Sequence, residues 1–273
     1  MNIGVFDSGL GGLSILRSVI KQLPEYNCIY LGDNARVPYG GRSRDSIYEY
    51  TVQAVDYLFK QNCQLIIIAC NTATSVALRK IQQEWLPLHY PDRRILGVIR
   101  PAVEMVLQEN CKNVGIIATR ATVHSNSFLE EIHKLDPSIT VTQQACPLLV
   151  PIIEEGELDW DGLDSVIDMY LQPLKSVKID SLILGCTHYE LIADKIKKHL
   201  DTSVKIIAEG AVTAEKLKKY LICHPEIDIL LEKYSVHKYF FTDVSERYEQ
   251  LAAMFLGEEY KIINILELAN IDK

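Results

Sequence analysis

The sequence predicts an α/β fold with two mostly parallel sheets, each covered by helices on both faces. Three observations carry this. Short apolar runs alternate with helix-period stretches along the chain, and such alternation builds parallel sheets with helices packed on them. Ten strand-like runs suit two sheets better than one. Two of those runs close on a cysteine, Cys70 and Cys186, each followed by polar residues that open a helix. The two stretches lie 116 positions apart, about one domain, which suggests two similar halves facing each other.

The first strand, 3–6, leads into Asp7-Ser8-Gly9-Leu10-Gly11-Gly12 and a helix over 13–22. The glycines permit a tight turn with backbone N–H groups aimed at an anion. Ser14 stands where a dinucleotide fingerprint needs its third glycine, and Asp7 places negative charge beside a pyrophosphate, so nucleotide binding is disfavoured. Asp7 reads as a helper of a general base, an ammonium contact or an Asx-turn residue. The second strand, 28–31, ends near Asp33, and Pro38 with Gly40 and Gly41 make a backbone-exposing turn before a helix over 43–60.

The third strand, 65–69, is an unbroken apolar run, as expected of a strand buried on both faces. Asn71, Thr72 and Thr74 are candidate caps for the helix that follows, to about residue 85. A thiol at that junction sits near unpaired N–H groups and a positive helix end, which favours thiolate. A small buried hydrophobe is the alternative for a lone cysteine; its recurrence at Cys186 argues for chemistry. Strands over 95–98, 114–118, 139–143, 182–185, 204–207, 238–242 and 261–265 follow. Helices are expected over 102–108, 126–135, 160–174, 189–200, 211–221 and 246–256. The chain crosses between halves most naturally at Arg100-Pro101. Thr119 and Thr122 follow the fifth strand and either cap a helix or hold a carboxylate. His188, two residues after Cys186, can take up a proton, hold a thiolate, or cap a helix.

Composition bounds the function. With 48% apolar and 23% charged residues the chain is an ordinary globular one. A net charge of −8 and no basic run longer than a pair argue against nucleic acid. No apolar stretch is long enough to span a bilayer, and no leader precedes the first strand, so a cytoplasmic protein is expected. Seven cysteines without C-x-x-C spacing suit neither a disulfide framework nor structural zinc. A cysteine phosphatase needs arginine six positions after the thiol; Val76 and Ile192 stand there.

Two opposed thiols suit inversion of a carbon acid. One, as thiolate, removes a proton from one face, and the other, as thiol, returns one to the opposite face. Enantiomers have equal free energy, so both groups must work in both directions, and two bases of one kind fit that need. Without a cofactor the developing carbanion needs fixed dipoles and hydrogen bonds to the α-carboxylate.

The chain resembles the glutamate racemase family. The resemblance rests on Gly4 to Gly12, Asp33 to Ser43, Ala69 to Ala73, Ala118 to Thr122, Val150 to Glu154 and Leu184 to Tyr189. Phe241-Thr242-Asp243 and Phe255-Leu256-Gly257 extend it. It implies cofactor-independent interconversion of L- and D-glutamate for peptidoglycan synthesis, with Cys70 deprotonating the D and Cys186 the L enantiomer. Asp7 would assist Cys70; His188, with Asp33, would assist Cys186. Substrate contacts would come from Ser8, Pro38, Tyr39, Gly40, Asn71, Thr72, Thr119, Thr122, Glu154, Thr187 and His188. The implied fold is two pseudo-symmetric domains, 1–97 with 209–273 and 98–208, with the active site in the cleft between them. The implied assembly is a homodimer. Glu190, where proline is expected, and Ala208-Glu209-Gly210, where an Asp-Ser pair is usual, depart from the pattern. An aspartate racemase of the same superfamily and a non-catalytic two-domain amino-acid binding protein are the rival readings.

Overall fold

The computed structural model describes residues 1–243 and 246–257. Two parallel sheets organise the chain. The first has the order β4-β3-β1-β2-β9, with β1 Asn2–Asp7, β2 Cys28–Gly32, β3 Cys63–Ile68, β4 Arg94–Gly97 and β9 His237–Phe241. The second has the order β6-β5-β7-β8, with β5 Asn113–Ala118, β6 Thr140–Ala145, β7 Ser181–Gly185 and β8 Lys205–Ile207. Every strand pair is parallel. The apolar run of β3 is buried at all six positions, because helices cover both faces of the sheet.

The two sheets share one topology. In each, the first strand lies centrally, its successor pairs on one side, and the third and fourth strands extend the other. The order therefore reverses between β1 and β3 in one sheet and between β5 and β7 in the other. Ligands of open α/β sheets bind beyond the strand carboxyl ends at such reversals. Cys70 follows β3 and Cys186 follows β7, so the two thiols occupy equivalent places.

The helix Glu209–Cys223 packs against both Leu13–Gln22 and Ile99–Gln108. The core forms three clusters. One joins Leu13, Val19 and Tyr30 to Leu149, Leu184 and Tyr189, so apolar packing is continuous from one sheet to the other.

Several boundaries differ from expectation. Arg100-Pro101 does not form a connector; both residues lie in the first turn of the helix Ile99–Gln108. Proline is tolerated there because a first-turn N–H has no partner within the helix. The helix after β3 begins at Asn71, and its cap is Cys70, whose sulfur accepts from the Ala73 N–H at 3.5 Å. Leu149–Glu154 is a helix that the sequence, interrupted by Pro151, did not suggest. The expected helix over 189–200 is divided into a tight turn at Thr187–Ile192 and a helix at Ala193–Lys198. The strand expected over 261–265 lies outside the described residues.

Candidate active site

The carboxyl ends of β1, β2, β3, β5 and β7 converge on one small cavity of about 20 Å³. Cys70 and Cys186 both line it, with Ser8, Pro38, Tyr39, Gly40, Asn71, Thr72, Thr119, Thr187 and His188. That is room for no more than a water molecule. An amino-acid substrate needs more room than this, so the site stands closed in this structure. A larger groove of about 970 Å³ elsewhere on the surface contains none of these residues.

Four other expected residues stand behind this wall. Asp7 Oδ2 accepts from the Gly9 N–H at 2.9 Å, and Asp7 Oδ1 accepts from the Thr187 hydroxyl at 3.3 Å. That second bond joins the end of β1 to the segment after β7. Glu154 receives His188 Nε2 at 2.9 Å, and Thr122 meets Thr72 and Thr119. Asp33 accepts from Arg36 Nε at 2.7 Å, from Tyr39 and from the Thr242 hydroxyl at 2.9 Å. Among the described residues no hydrogen bond joins Asp33 to His188; its contact with the cavity runs through Tyr39.

Around Cys70 the Ser8 hydroxyl lies 3.3 Å from the sulfur. Burial pushes the Cys70 thiol up to about 12, and the nearby Asp7 charge pushes the same way. The hydrogen bond shared with Ser8 and the one from the Ala73 N–H oppose this without cancelling it. The expectation of a thiolate at a positive helix end is thus reversed in the closed site. Burial likewise raises Asp7 above the usual carboxylate range, against the pull of His188 and of bonds from Gly9, Gly12 and Thr187.

Around Cys186 the sulfur lies 3.8 Å from His188 Nδ1, and the opposite ring nitrogen meets Glu154. Burial would lower His188, but its bonds to Cys186 and Glu154 prevail and hold the imidazole well above its ordinary value. The result is a carboxylate–imidazole–thiol chain ending at the cavity.

The hydroxyls of Thr72, Thr119 and Thr122 bond one another at 2.9, 3.3 and 3.0 Å. Each can turn its proton toward an incoming carboxylate. A methyl at Gly40 would come within 2.6 Å of Thr119 Cβ, and one at Gly11 would run into Thr187 and His188. Bare backbone is what lets the two halves meet this closely. Gly11, Val37, Val150 and Glu209 also belong to the site. All four lie in stretches that carry or break the family resemblance, but nothing in their residue types marks them as walls of a cavity.

A family profile described as Asp/Glu/Hydantoin racemase matches residues 3–217. A glutamate racemase of a Sulfurihydrogenibium species is 38% identical over 260 residues, which cover 94% of this chain and 95% of that one. One from Persephonella marina is 38% identical, with 99% of each chain covered. The crystal structure of glutamate racemase from Francisella tularensis in complex with D-glutamate superposes with a TM-score of 0.88 at 36% identity. That match covers 99% of this chain and 98% of the other.

Proposed function

From the premise that this chain belongs to the Asp/Glu/hydantoin racemase family, we propose that it interconverts L- and D-glutamate by a two-base mechanism. The observation that carries the reading is the pair of thiols, Cys70 and Cys186, lining one closed cavity from equivalent positions after β3 and β7. The Francisella relative, seen with D-glutamate, supports glutamate as the substrate here.

Cys70 takes the α-proton of D-glutamate and Cys186 that of L-glutamate, while the opposite thiol supplies a proton to the other face. Asp7, its carboxyl raised by burial, helps charge and discharge Cys70. His188, braced by Glu154, does so for Cys186. Asp33 supports the Pro38–Gly40 wall through Tyr39. Thr72, Thr119 and Thr122 receive a carboxylate, with Ser8, Asn71 and Thr187 completing the walls. Helix starts after several strands supply the dipoles that a cofactor would otherwise replace. We divide the chain into lobes 1–97 with 209–273 and 98–208, of which residues 244–245 and 258–273 lie outside those the structure describes. We place the enzyme in the cytoplasm as a homodimer whose D-glutamate serves peptidoglycan, on the family resemblance described above.

The test is incubation of L-glutamate in deuterated water without added cofactor, with aspartate as the control. Two-base inversion puts deuterium on the D product while remaining L-glutamate keeps protium early in the reaction. Cys70→Ala and Cys186→Ala should each lower turnover by at least ~10²–10⁴-fold with an unchanged circular dichroism spectrum. A single-cysteine variant with near-normal turnover sinks the scheme. Glutamate binding without α-proton exchange would make the protein a binding module instead.

A further inference from the structure

Asn71 lines the cavity beside Cys70. Its side chain is an amide with two N–H donors at one end and a carbonyl acceptor at the other, so it can present either chemistry to a ligand. In this structure Nδ2 donates to Glu209 Oε2 at 2.5 Å. The carbonyl Oδ1 is buried and has no hydrogen-bond partner among the described residues. Glu209 therefore fixes which way the amide faces, with Nδ2 toward the carboxyl and Oδ1 left without a partner.

Glu209 is well placed to enforce this. It is the first residue of the helix Glu209–Cys223, only 3% exposed, and that helix is packed on Leu13–Gln22 and Ile99–Gln108. Burial raises its carboxyl well above the usual range; the Asn71 bond opposes this, and the Glu190 and Asp7 charges add to it. A neutral carboxyl still accepts through its carbonyl oxygen, so the bond to Nδ2 survives protonation. Of glutamate's polar groups, the ammonium is the one made only of donors, whereas the two carboxylates at working pH only accept. A fixed carbonyl suits the ammonium and rejects the carboxylates.

We propose that Glu209 is a positioning residue that locks the Asn71 amide so that Oδ1 is offered to the α-ammonium of the substrate. This rests on the glutamate racemase reading. It goes beyond that reading by assigning a substrate-orienting role to a residue that departs from the family pattern. Orientation matters because the carbon between the thiols is held in place partly through its amino group. A substrate turned end for end presents a carboxylate to the Asn71 carbonyl, and two acceptors cannot bond.

The test uses the full-length enzyme and a double-mutant cycle. Glu209→Ala and Asn71→Ala should each raise KM for glutamate by ~10-fold or more, the loss expected for a hydrogen bond to a charged group. Each should leave KM-independent turnover less affected. The double variant should be no worse than Asn71→Ala alone, since Glu209 acts through Asn71. Glu209→Gln, which keeps an acceptor facing Nδ2, should restore KM to within about threefold of the parent. Glutarate, which lacks the ammonium, should inhibit the parent and Glu209→Ala equally well. Should Glu209→Ala not fold, Glu209→Met, which keeps the volume without the acceptor, is read in the same way. Additive losses, failure of Glu209→Gln to rescue, or equal weakening of glutarate and glutamate would overturn the proposal and leave Glu209 a packing residue. A parent enzyme that does not racemise glutamate counts against the assigned reaction instead, and is seen before any variant is made.

Discussion

Cys70 shows two effects of opposite sign meeting at one atom. A helix N-terminus stabilises an anion by about 2 kcal/mol at most. Burial moves the thiol from 9.0 to about 12, a difference worth roughly 4 kcal/mol, so burial wins while the cavity is closed. The thiol should be inert to alkylation near neutral pH. Cys223 is exposed and the other six cysteines are buried, so brief iodoacetamide treatment at pH 7.5 should label Cys223 first, as read by peptide mass. Early labelling of Cys70 in the ligand-free enzyme would contradict the closed state. The chemistry at Cys186 is set by its neighbours. Glu154→Gln removes the charge that helps hold His188 protonated and should lower kcat/KM by about 10-fold, as losses of supporting carboxylates do. The fall must be equal in both directions, because two enantiomers of equal free energy fix the ratio of their kcat/KM values at unity. Both thiols could be picked out in the sequence because each ended an apolar run. The protonation of Cys70 could not be, since it depends on burial and on Asp7 and Ser8, more than 60 positions away.

At the scale of elements, the site is made of strand ends and the turns that follow them. Thr119 caps the helix Arg120–Ser125 by accepting from Thr122 N–H at 3.3 Å, and the same hydroxyl faces Thr72 across the cleft. The sequence left capping and carboxylate binding as alternatives for this threonine; its position allows both. Gly40 meets Thr119 so closely that Gly40→Ala must hold the turn and the second sheet apart. We expect a KM increase of roughly 10-fold or more, in the range of about 1–3 kcal/mol that overpacking costs. The melting temperature should change little, because the cleft can relax open. A parent-like KM would show that the turn yields. Strands were readable because two-sided burial demands unbroken apolar runs, as in β3. The helix Leu149–Glu154 was not, since six residues containing a proline carry no clear period. It nonetheless delivers Glu154 to His188.

At the scale of the molecule, closure buries titratable groups, and their shifts set how stability varies with pH. Asp7, Glu209 and His188 all have raised values in the fold. A raised group holds its proton more tightly folded than unfolded. Its contribution is therefore largest below the unfolded value and is lost as pH rises through the folded one. Glu104 and Glu131 act in the opposite sense. Burial raises them, but Lys216 and Arg100 for the first, and Lys134, Arg100 and Arg79 for the second, hold them lower overall. Their contribution is present above the ordinary carboxylate range and is lost as pH falls through the folded values. The melting temperature should peak at weakly acid pH, between about 4.5 and 6.5, and fall toward pH ~9. Glu209→Gln, with nothing to ionise, should fall less steeply on that limb. Calorimetry across the range checks both, and a parent that grows more stable toward alkaline pH refutes them. By itself the sequence determined the parallel α/β class, most strands and the two cysteine turns, because local apolar runs and turn residues encode these directly. Long-range packing alone brings both thiols into one cavity through β1 with β3 and β5 with β7, sets Glu154 against His188, and ties Glu209 to Asn71. Those contacts join positions 34 to 138 residues apart, and no short-range pattern in a chain reports which distant surfaces will exclude water together.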